Sequence, residues 1–572
     1  MISPFSAVRP LAQKAISGIL GLPAADIDPV VRESQFADLQ LNAALALSRR
    51  HGMTPMELAQ LIADALGGEP LIAEATASKP GYVNIVLADS WIEQQIRDLS
   101  IPTRLDPSGR RVVVDYSSPN VAKEMHVGHL RTTVVGDALV RILDWLGNDV
   151  IKQNHIGDWG TPFGMLIEHA LDAKSSGQDA HELAEDPNAF YQAAREKFDA
   201  DEDFATRARL RVVLLQAGDE ATLSLWSDLV GESKTYFNKV YAALEVSLRD
   251  EDLAGESTYN AQLPLLCEDL EKIGLATVSE GALCAFPEGF KGRDNQPAAL
   301  ILRKSDGGYG YATTDVAALK YRVQELKADS VVYVVGSPQA NHLEMVWQLT
   351  REAGWLTPAT DVTHVKIGNV LGPDNKILRT RSGKSFKLLD LVDEAVARAH
   401  KVLVESSSLE SPEEMQAVAR MIGTGAVKYA DLSVAHDTEY IFDLDRMVSL
   451  SGNTAPYLQY AVARIRSLIE RGERTSQVTN TVVISLPEER QLAMSLLNFE
   501  AAVETAGEKL EPHRLCAYLF ALTQRFSSFY DAAPVLNAED DARSSRLALC
   551  RATEQVLVQG LSLLGIRAPQ RM

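Results

Sequence analysis

The chain has 572 residues, 46% apolar and 23% charged, with a formal net charge of −21 at pH 7. That length provides about four domains with ample core, no apolar run is long enough to span a bilayer, and the acidity disfavours indiscriminate binding to nucleic acid. Cys267, Cys284, Cys516 and Cys550 are scattered and form no C-x-x-C pair, which argues against a zinc site and a disulfide framework and suits a reducing compartment.

Residues 1–105 read as a separate α+β unit. VRPLAQKAISGILGL and MTPMELAQLIADALGG have the spacing of amphipathic helices, the second ending at Gly67-Gly68. KPGYVNIVL reads as a strand behind a Pro-Gly turn, and IPTRLDPSGR as a linker. Nothing in this unit looks catalytic. The N-terminus lacks a basic segment followed by an apolar one, so no secretory signal is expected and the predicted location is cytoplasmic.

Val112 to Val114 form a β-branched run typical of a buried strand. Leu130, Val134, Val135, Ala138, Leu139, Ile142, Leu143 and Leu146 recur at helical spacing until Gly147 and Asn148. His126-Val-Gly-His129 therefore sits between a strand and a helix N-terminus, the ligand edge of an open α/β sheet. A helix N-terminus offers N–H groups and positive potential to phosphate. Gly128 leaves room for a planar base against the backbone. His126 and His129 are donors suited to a phosphate whose charge grows in a transition state. The alternative is a loop whose histidines are satisfied internally.

DVIKQNHIGDWGTPFGML contains a second strand and a Gly-rich turn. Residues 170–255 are charged and helical in period, an insertion between sheet halves, with a mobile polar patch expected at SSGQDAHELAEDP. Sheet chemistry returns at AALILRK. SDGGYGYATTD then supplies a turn and a helix start, with Thr313 or Thr314 as N-cap and Asp315 in the first turn. SVVYVVG is a buried strand with GSPQANH at its ligand end, and HVKIGNVLG is a further strand. The loop that follows gathers Lys376, Arg379, Arg381, Lys384 and Lys387 around Ser382-Gly383. It reads either as a polyphosphate clamp or as a solvated charged loop.

From about 453 onward the periodicity is helical throughout, as in a bundle. Tyr457, Tyr460, Arg464, Arg466, Arg525 and Tyr530 interleave, a pattern that fits stacking on single-stranded nucleotides or ordinary core packing. Residues 453–572 hold 13 basic and 13 acidic residues, so the excess negative charge lies elsewhere. That asymmetry suits a polyanion near the C-terminus.

Taken in order, SSPNVAKEMHVGHLR, NHIGDWGTPFGML, SDGGYGYATTD, NTAPYLQYA, EPHRLCAYL and LLGIRAPQRM resemble class I aminoacyl-tRNA synthetases, specifically the arginyl-tRNA synthetase family, over essentially the whole chain. The resemblance implies a multidomain α/β fold: an N-terminal tRNA-elbow domain (1–105), a Rossmann-like catalytic domain (106–380) with an insertion at about 165–295, a connecting region (381–452), and an all-α DALR-type anticodon-binding bundle (453–572). It implies ATP-dependent activation of L-arginine to arginyl-adenylate, then transfer to the 3′-terminal adenosine of tRNA(Arg). Adenylate formation that requires bound tRNA, Mg²⁺ carried with the ATP phosphates, no zinc, no membrane partner and a monomer are implied as well.

By position, Asp115, Ser117, Asn120, Tyr311, Asp315 and Gln339 match the family's arginine pocket. Asp315 is the first choice for the guanidinium, a five-donor fork that calls for carboxylate acceptors. Tyr311 and His155 have a purely structural alternative. His126, Gly128 and His129 carry over to ATP, and Tyr457, Tyr460 and Arg464 are the candidate tRNA contacts. The class's Lys-Met-Ser-Lys-Ser loop is not present as such. Lys376, Arg379, Arg381 and Lys384 stand in its region, and the family's compensating lysine corresponds to Lys123. Other readings are a class I synthetase for a different amino acid, a non-catalytic paralogue, and a nucleotidyltransferase without tRNA.

Overall fold

The structure, a computed structural model, describes residues 3–121, 123–175, 187–292, 295–372, 374–378, 386–406, 409, 411–474 and 481–572. The expected polar patch lies, from 176 to 186, outside the described residues.

The N-terminal unit is built on local signals. Ser3 caps helix Pro4–Leu20, and Gly21 closes it at φ 68°. Thr54 and Glu57 form a reciprocal capping box on helix Pro55–Leu66. The helices cover an antiparallel sheet of β1 (Val31–Glu33), β2 (Leu39–Leu41), β3 (Ile72–Ser78) and β4 (Tyr82–Leu87), in the order β1-β2-β4-β3. Alternate residues of β4 are buried, as expected for a sheet with one covered face.

The central sheet is parallel, in the order β11-β10-β5-β6, formed by β5 (Arg111–Tyr116), β6 (Asp149–Gln153), β10 (Ser330–Gly336) and β11 (Asp361–Ile367). β5 and β10 are nearly continuous buried runs, because helices cover both faces. The chain leaves β5 toward β6 and later returns on the other side of β5 as β10. The switch point is therefore between β5 and β10, where their carboxyl ends open a crevice. Helix Val127–Trp145 crosses β5 very closely. A Cβ at Gly136 would lie 2.4 Å from the Tyr116 side chain, so only glycine permits this approach.

Between β6 and β10 the insertion contributes helices Thr161–Ser175, Pro187–Ala200, Glu202–Ala217 and Glu220–Leu244. AALILRK does form a strand, β9 (Leu300–Arg303), but not in the central sheet. It pairs antiparallel in a separate sheet with β7 (Ala276–Ser279) and β8 (Ala282–Ala285). The helix after it, Tyr311–Gln324, is capped by Gly310 rather than a threonine. Thr313 and Thr314 already lie inside the helix and donate their hydroxyls to the Leu302 and Tyr311 carbonyls. Asp315 accordingly lies beyond the first turn.

A short parallel pair, β12 (Val370–Leu371) with β13 (Tyr440–Ile441), joins the base of the basic loop to the connecting region. The C-terminal part is all helix: Ala455–Glu473, Pro487–Leu497, Phe499–Lys509, Pro512–Ala532 and Asp540–Leu563. Among the described residues no helix is long and apolar enough to cross a membrane. The four cysteines are free and buried.

Candidate active site

His126 is the N-cap of helix Val127–Trp145 and His129 stands in its first turn. The two rings close a reciprocal cap. The Gly128 N–H donates to His126 Nδ1 at 3.0 Å, and the His126 N–H donates to His129 Nδ1 at 3.1 Å. Each Nδ1 is thus an acceptor, so each ring is neutral and carries its proton on Nε2. Burial and the nearby Lys123 charge lower His126 below its ordinary range. Burial and the neighbouring His126 push His129 down to about 3. Gly128 has a tighter reason to be glycine than room for a base: a Cβ there would lie 2.7 Å from His126 Cε1.

The crevice beyond this loop has a volume of about 770 Å³, and His126, His129, Asp315 and Gln339 all line it. A second cavity of about 510 Å³ adjoins it. Asn120, Gly157, Glu256 and Tyr311 line both. Asp315 is the acidic centre. Its Oδ2 accepts from His342 Nε2 at 2.6 Å and its Oδ1 lies 3.5 Å from His155 Nε2. Burial opposes its charge, but the two histidines hold the carboxyl well below the usual carboxylate range. His155 also donates from Nδ1 to the Ala254 carbonyl at 2.8 Å. Burial pulls His155 down, yet Asp315 and Asp115 outweigh it and raise the imidazole to about 9.

The other pocket candidates divide into open and committed groups. Tyr311 is 65% exposed, its ring 4.8 Å from that of His342. Asn120 and Gln339 sit exposed at the rim. Asp115 is buried, its Oδ2 accepting from Arg322 Nη2 at 2.7 Å and its Oδ1 from Ser118 Oγ at 2.9 Å. Ser117 Oγ lies 2.9 Å from Thr133 Oγ1 and 2.8 Å from Tyr241 OH. Both line the crevice, with their polar atoms already engaged inside the protein.

Three families match the chain in sequence. The Arginyl tRNA synthetase N terminal domain covers residues 7–87, tRNA synthetases class I (R), catalytic domain, covers 100–444, and the DALR anticodon binding domain covers 458–572. The chain is 56% identical to the arginine–tRNA ligase of Thermobifida fusca, across 100% of both chains, and 47% identical to that of Frankia casuarinae, across 96% of this chain and 95% of the other. The chain belongs to the arginyl-tRNA synthetase family. Its fold agrees with the arginyl-tRNA synthetase of Plasmodium falciparum (TM-score 0.82, 27% identity, 100% of both chains) and with that of Thermus thermophilus (TM-score 0.78, 23% identity, 99% of both chains).

The synthetase fold brings in residues that sequence reasoning missed. Glu256 lines both cavities, and burial, reinforced by Asp315 and Asp158 and opposed by His155, raises its carboxyl to about 7. It hides in AGESTY, where one glutamate among the insertion's many acids carries no signal. His342 follows Gln339 by three residues, so that spacing at the ligand end of β10 could have flagged it. Arg322, buried against Asp115 and Gln153, is a core arginine that no local pattern announces.

The synthetase's basic loop begins with Lys376, which is exposed. Arg379, Arg381 and Lys384 lie outside the described residues. The loop's descending arm is tied to the histidine motif: the Val127 N–H donates to the Phe386 carbonyl and the Leu388 N–H to the Met125 carbonyl. Lys387 donates to Glu124 at 2.9 Å. In the anticodon-binding domain, Tyr460, Arg464 and Tyr530 line a C-terminal cleft of about 560 Å³, with Arg464 4.2 Å from the Tyr530 ring centroid. Tyr457 turns inward, edge-on to Phe520.

Proposed function

We propose that the crevice activates L-arginine with ATP and passes it to the 3′-terminal adenosine of tRNA(Arg), with the roles divided along the crevice. One observation carries this reading: a pocket with Asp315 and Glu256 opens on the same crevice as two neutral imidazoles at a helix N-terminus. The guanidinium is assigned to Asp315, with Glu256 and Tyr311 beside it. The α-amino and carboxylate end is assigned to Asn120 and Gln339, on the exposed rim. Asp115 and Ser117 shape the wall through their internal partners.

The arginine carboxylate attacks the α-phosphorus of ATP in line, and pyrophosphate leaves. His126 and His129 present Nε2–H donors to phosphate oxygens as negative charge builds, so they stabilise by position without moving a proton. Lys123, Lys376 and the cations at 379, 381 and 384 supply positive charge to the leaving pyrophosphate. Mg²⁺ fits as a companion of the triphosphate and would neutralise part of its charge. The phosphate end presents imidazoles rather than a set of carboxylates, so the ion would be held mainly by phosphate and water oxygens. No editing step is needed, because a fork of hydrogen bonds rejects wrong amino acids strongly. The N-terminal unit is assigned to the tRNA elbow, and Tyr457, Tyr460 and Arg464 to the anticodon side. The protein is assigned to the cytoplasm as a monomer.

The test is ATP–pyrophosphate exchange with arginine, lysine or glutamine, with and without total tRNA. Exchange with arginine only, and only when tRNA is present, is expected. Exchange with arginine alone would remove the tRNA requirement. No exchange by folded, tRNA-binding protein would overturn the catalytic reading.

A further inference from the structure

Lys123 has an unusual partner. Its Nζ lies 4.2 Å from the ring centroid of Tyr191, on helix Pro187–Ala200 of the insertion. Other lysines of the same domain pair with carboxylates: Lys387 with Glu124 at 2.9 Å and Lys152 with Asp252 at 2.8 Å. A carboxylate neutralises an ammonium and must be displaced before that ammonium can serve a phosphate. An aromatic face attracts the charge through its quadrupole and leaves the three N–H donors available.

The ring is on a fixed support. Phe190 and Ala194 are buried, and the Phe190 ring lies 4.7 Å from that of His169 on helix Thr161–Ser175. Lys197 pairs with Asp172 at 2.6 Å, and Arg207 from the next helix pairs with Asp172 at 3.0 Å and Glu168 at 2.8 Å. Tyr191 and Lys123 line the same cavity, which adjoins the crevice. The Lys123 charge is near enough to bear on both His126 and His129.

We propose that Tyr191 is a positioning residue for the activation step: its ring holds the Lys123 ammonium pre-oriented beside the H-x-G-H loop, in place of an acidic partner. This rests on the assignment of Lys123 to the ATP phosphates. A free lysine has a flexible four-carbon stem and must be ordered at the moment of reaction. The ring does that ordering in advance, so its effect falls on kcat of activation more than on the arginine KM.

The test uses the full chain with tRNA and arginine-dependent ATP–pyrophosphate exchange. Variants are Tyr191→Leu, Tyr191→Phe, Lys123→Met and the double Tyr191→Leu/Lys123→Met, each checked for an unchanged thermal midpoint. Tyr191→Leu is expected to lower kcat about three- to tenfold. Tyr191→Phe keeps the ring and should retain the rate. In the Lys123→Met background Tyr191→Leu should add nothing. A full Lys123→Met defect with Tyr191→Leu silent, or with Tyr191→Leu equally harmful in both backgrounds, overturns the role of Tyr191 while leaving that of Lys123. An unaltered rate in Lys123→Met alone overturns the assignment of Lys123 itself. A rise in kcat on losing the ring would mean the ring restrains Lys123, the opposite of the role proposed.

Discussion

At the residue scale the pocket proposed for arginine is a balance of charges set by its own side chains. Asp315 is ionised between His155 and His342, while burial raises Glu256 to about 7. An incoming guanidinium favours an ionised Glu256, so binding near neutral pH releases a proton from this group. Arginine affinity should therefore rise as pH increases from 6 to 8. Titration calorimetry in two buffers of different ionisation enthalpy would detect the released proton, and an affinity flat across this range would exclude Glu256 from the pocket. Asp315→Ala removes a charge-assisted hydrogen-bond acceptor worth roughly 1.5–3 kcal/mol, so arginine should bind about 10- to 100-fold more weakly. ATP binding should hardly change. Equal losses for both ligands, measured by equilibrium dialysis, would take the guanidinium role from Asp315. His126 and His129 are legible in the sequence because they stand between a strand and a helix start, whereas Asp315 and Gln339 are singled out by the family resemblance. Glu256 is neither, since its place depends on an insertion folding back over β6.

At the element scale, close packing decides what patterns cannot. The apolar stripe from Leu130 to Leu146 identifies the helix, but its seat on β5 depends on Gly136 meeting Tyr116. Gly136→Val would force the helix off the strand, destabilise the fold by about 1–3 kcal/mol, and tilt His126 and His129 with it. A lowered urea midpoint with exchange activity reduced beyond the loss of folded protein is expected. Helix ends follow the same lesson. Sequence reading put the cap at Thr313 or Thr314, yet Gly310 takes it because the Thr313 hydroxyl is drawn to the Leu302 carbonyl of β9. The stretch EERQLAMSLLNFEAAVETA reads as one helix but breaks at Asn498, which separates helices Pro487–Leu497 and Phe499–Lys509.

At the scale of the whole molecule, buried charges join distant segments. Lys428 is fully buried and donates to the carbonyls of Leu244, the last residue of helix Glu220–Leu244, and Gly565, in the C-terminal segment, at 2.9 and 2.7 Å. Beside it Arg141 and Asp137 of the histidine-bearing helix form an ion pair at 2.8 Å, and Arg567 pairs with Glu245. The histidine-bearing helix, insertion, connecting region and C-terminus thus meet at one point. Lys428→Met leaves two buried carbonyls without their donor and should cost about 2–4 kcal/mol in stability. Calorimetry would check this, and an unchanged melting temperature would deny the junction any structural weight. A second tie, Arg490 with Asp38 and Asp89 at 2.7 Å, fixes the bundle to the N-terminal unit.

What the sequence determined alone was whatever depends on neighbours along the chain. Period and β-branched runs placed the strands of the central sheet, the helical insertion, the C-terminal helices and the H-x-G-H loop, because each is settled within a turn or a strand length. The ordered motifs then pointed to the family. Tertiary structure alone decided which separated segments meet: β9 with β7 and β8 rather than the central sheet, Asp115 with Arg322, Glu256 and Asp315 on one cavity, Tyr191 with Lys123. Those pairings depend on packing and on the charge balance of buried groups, and neither is written in any single stretch of the chain.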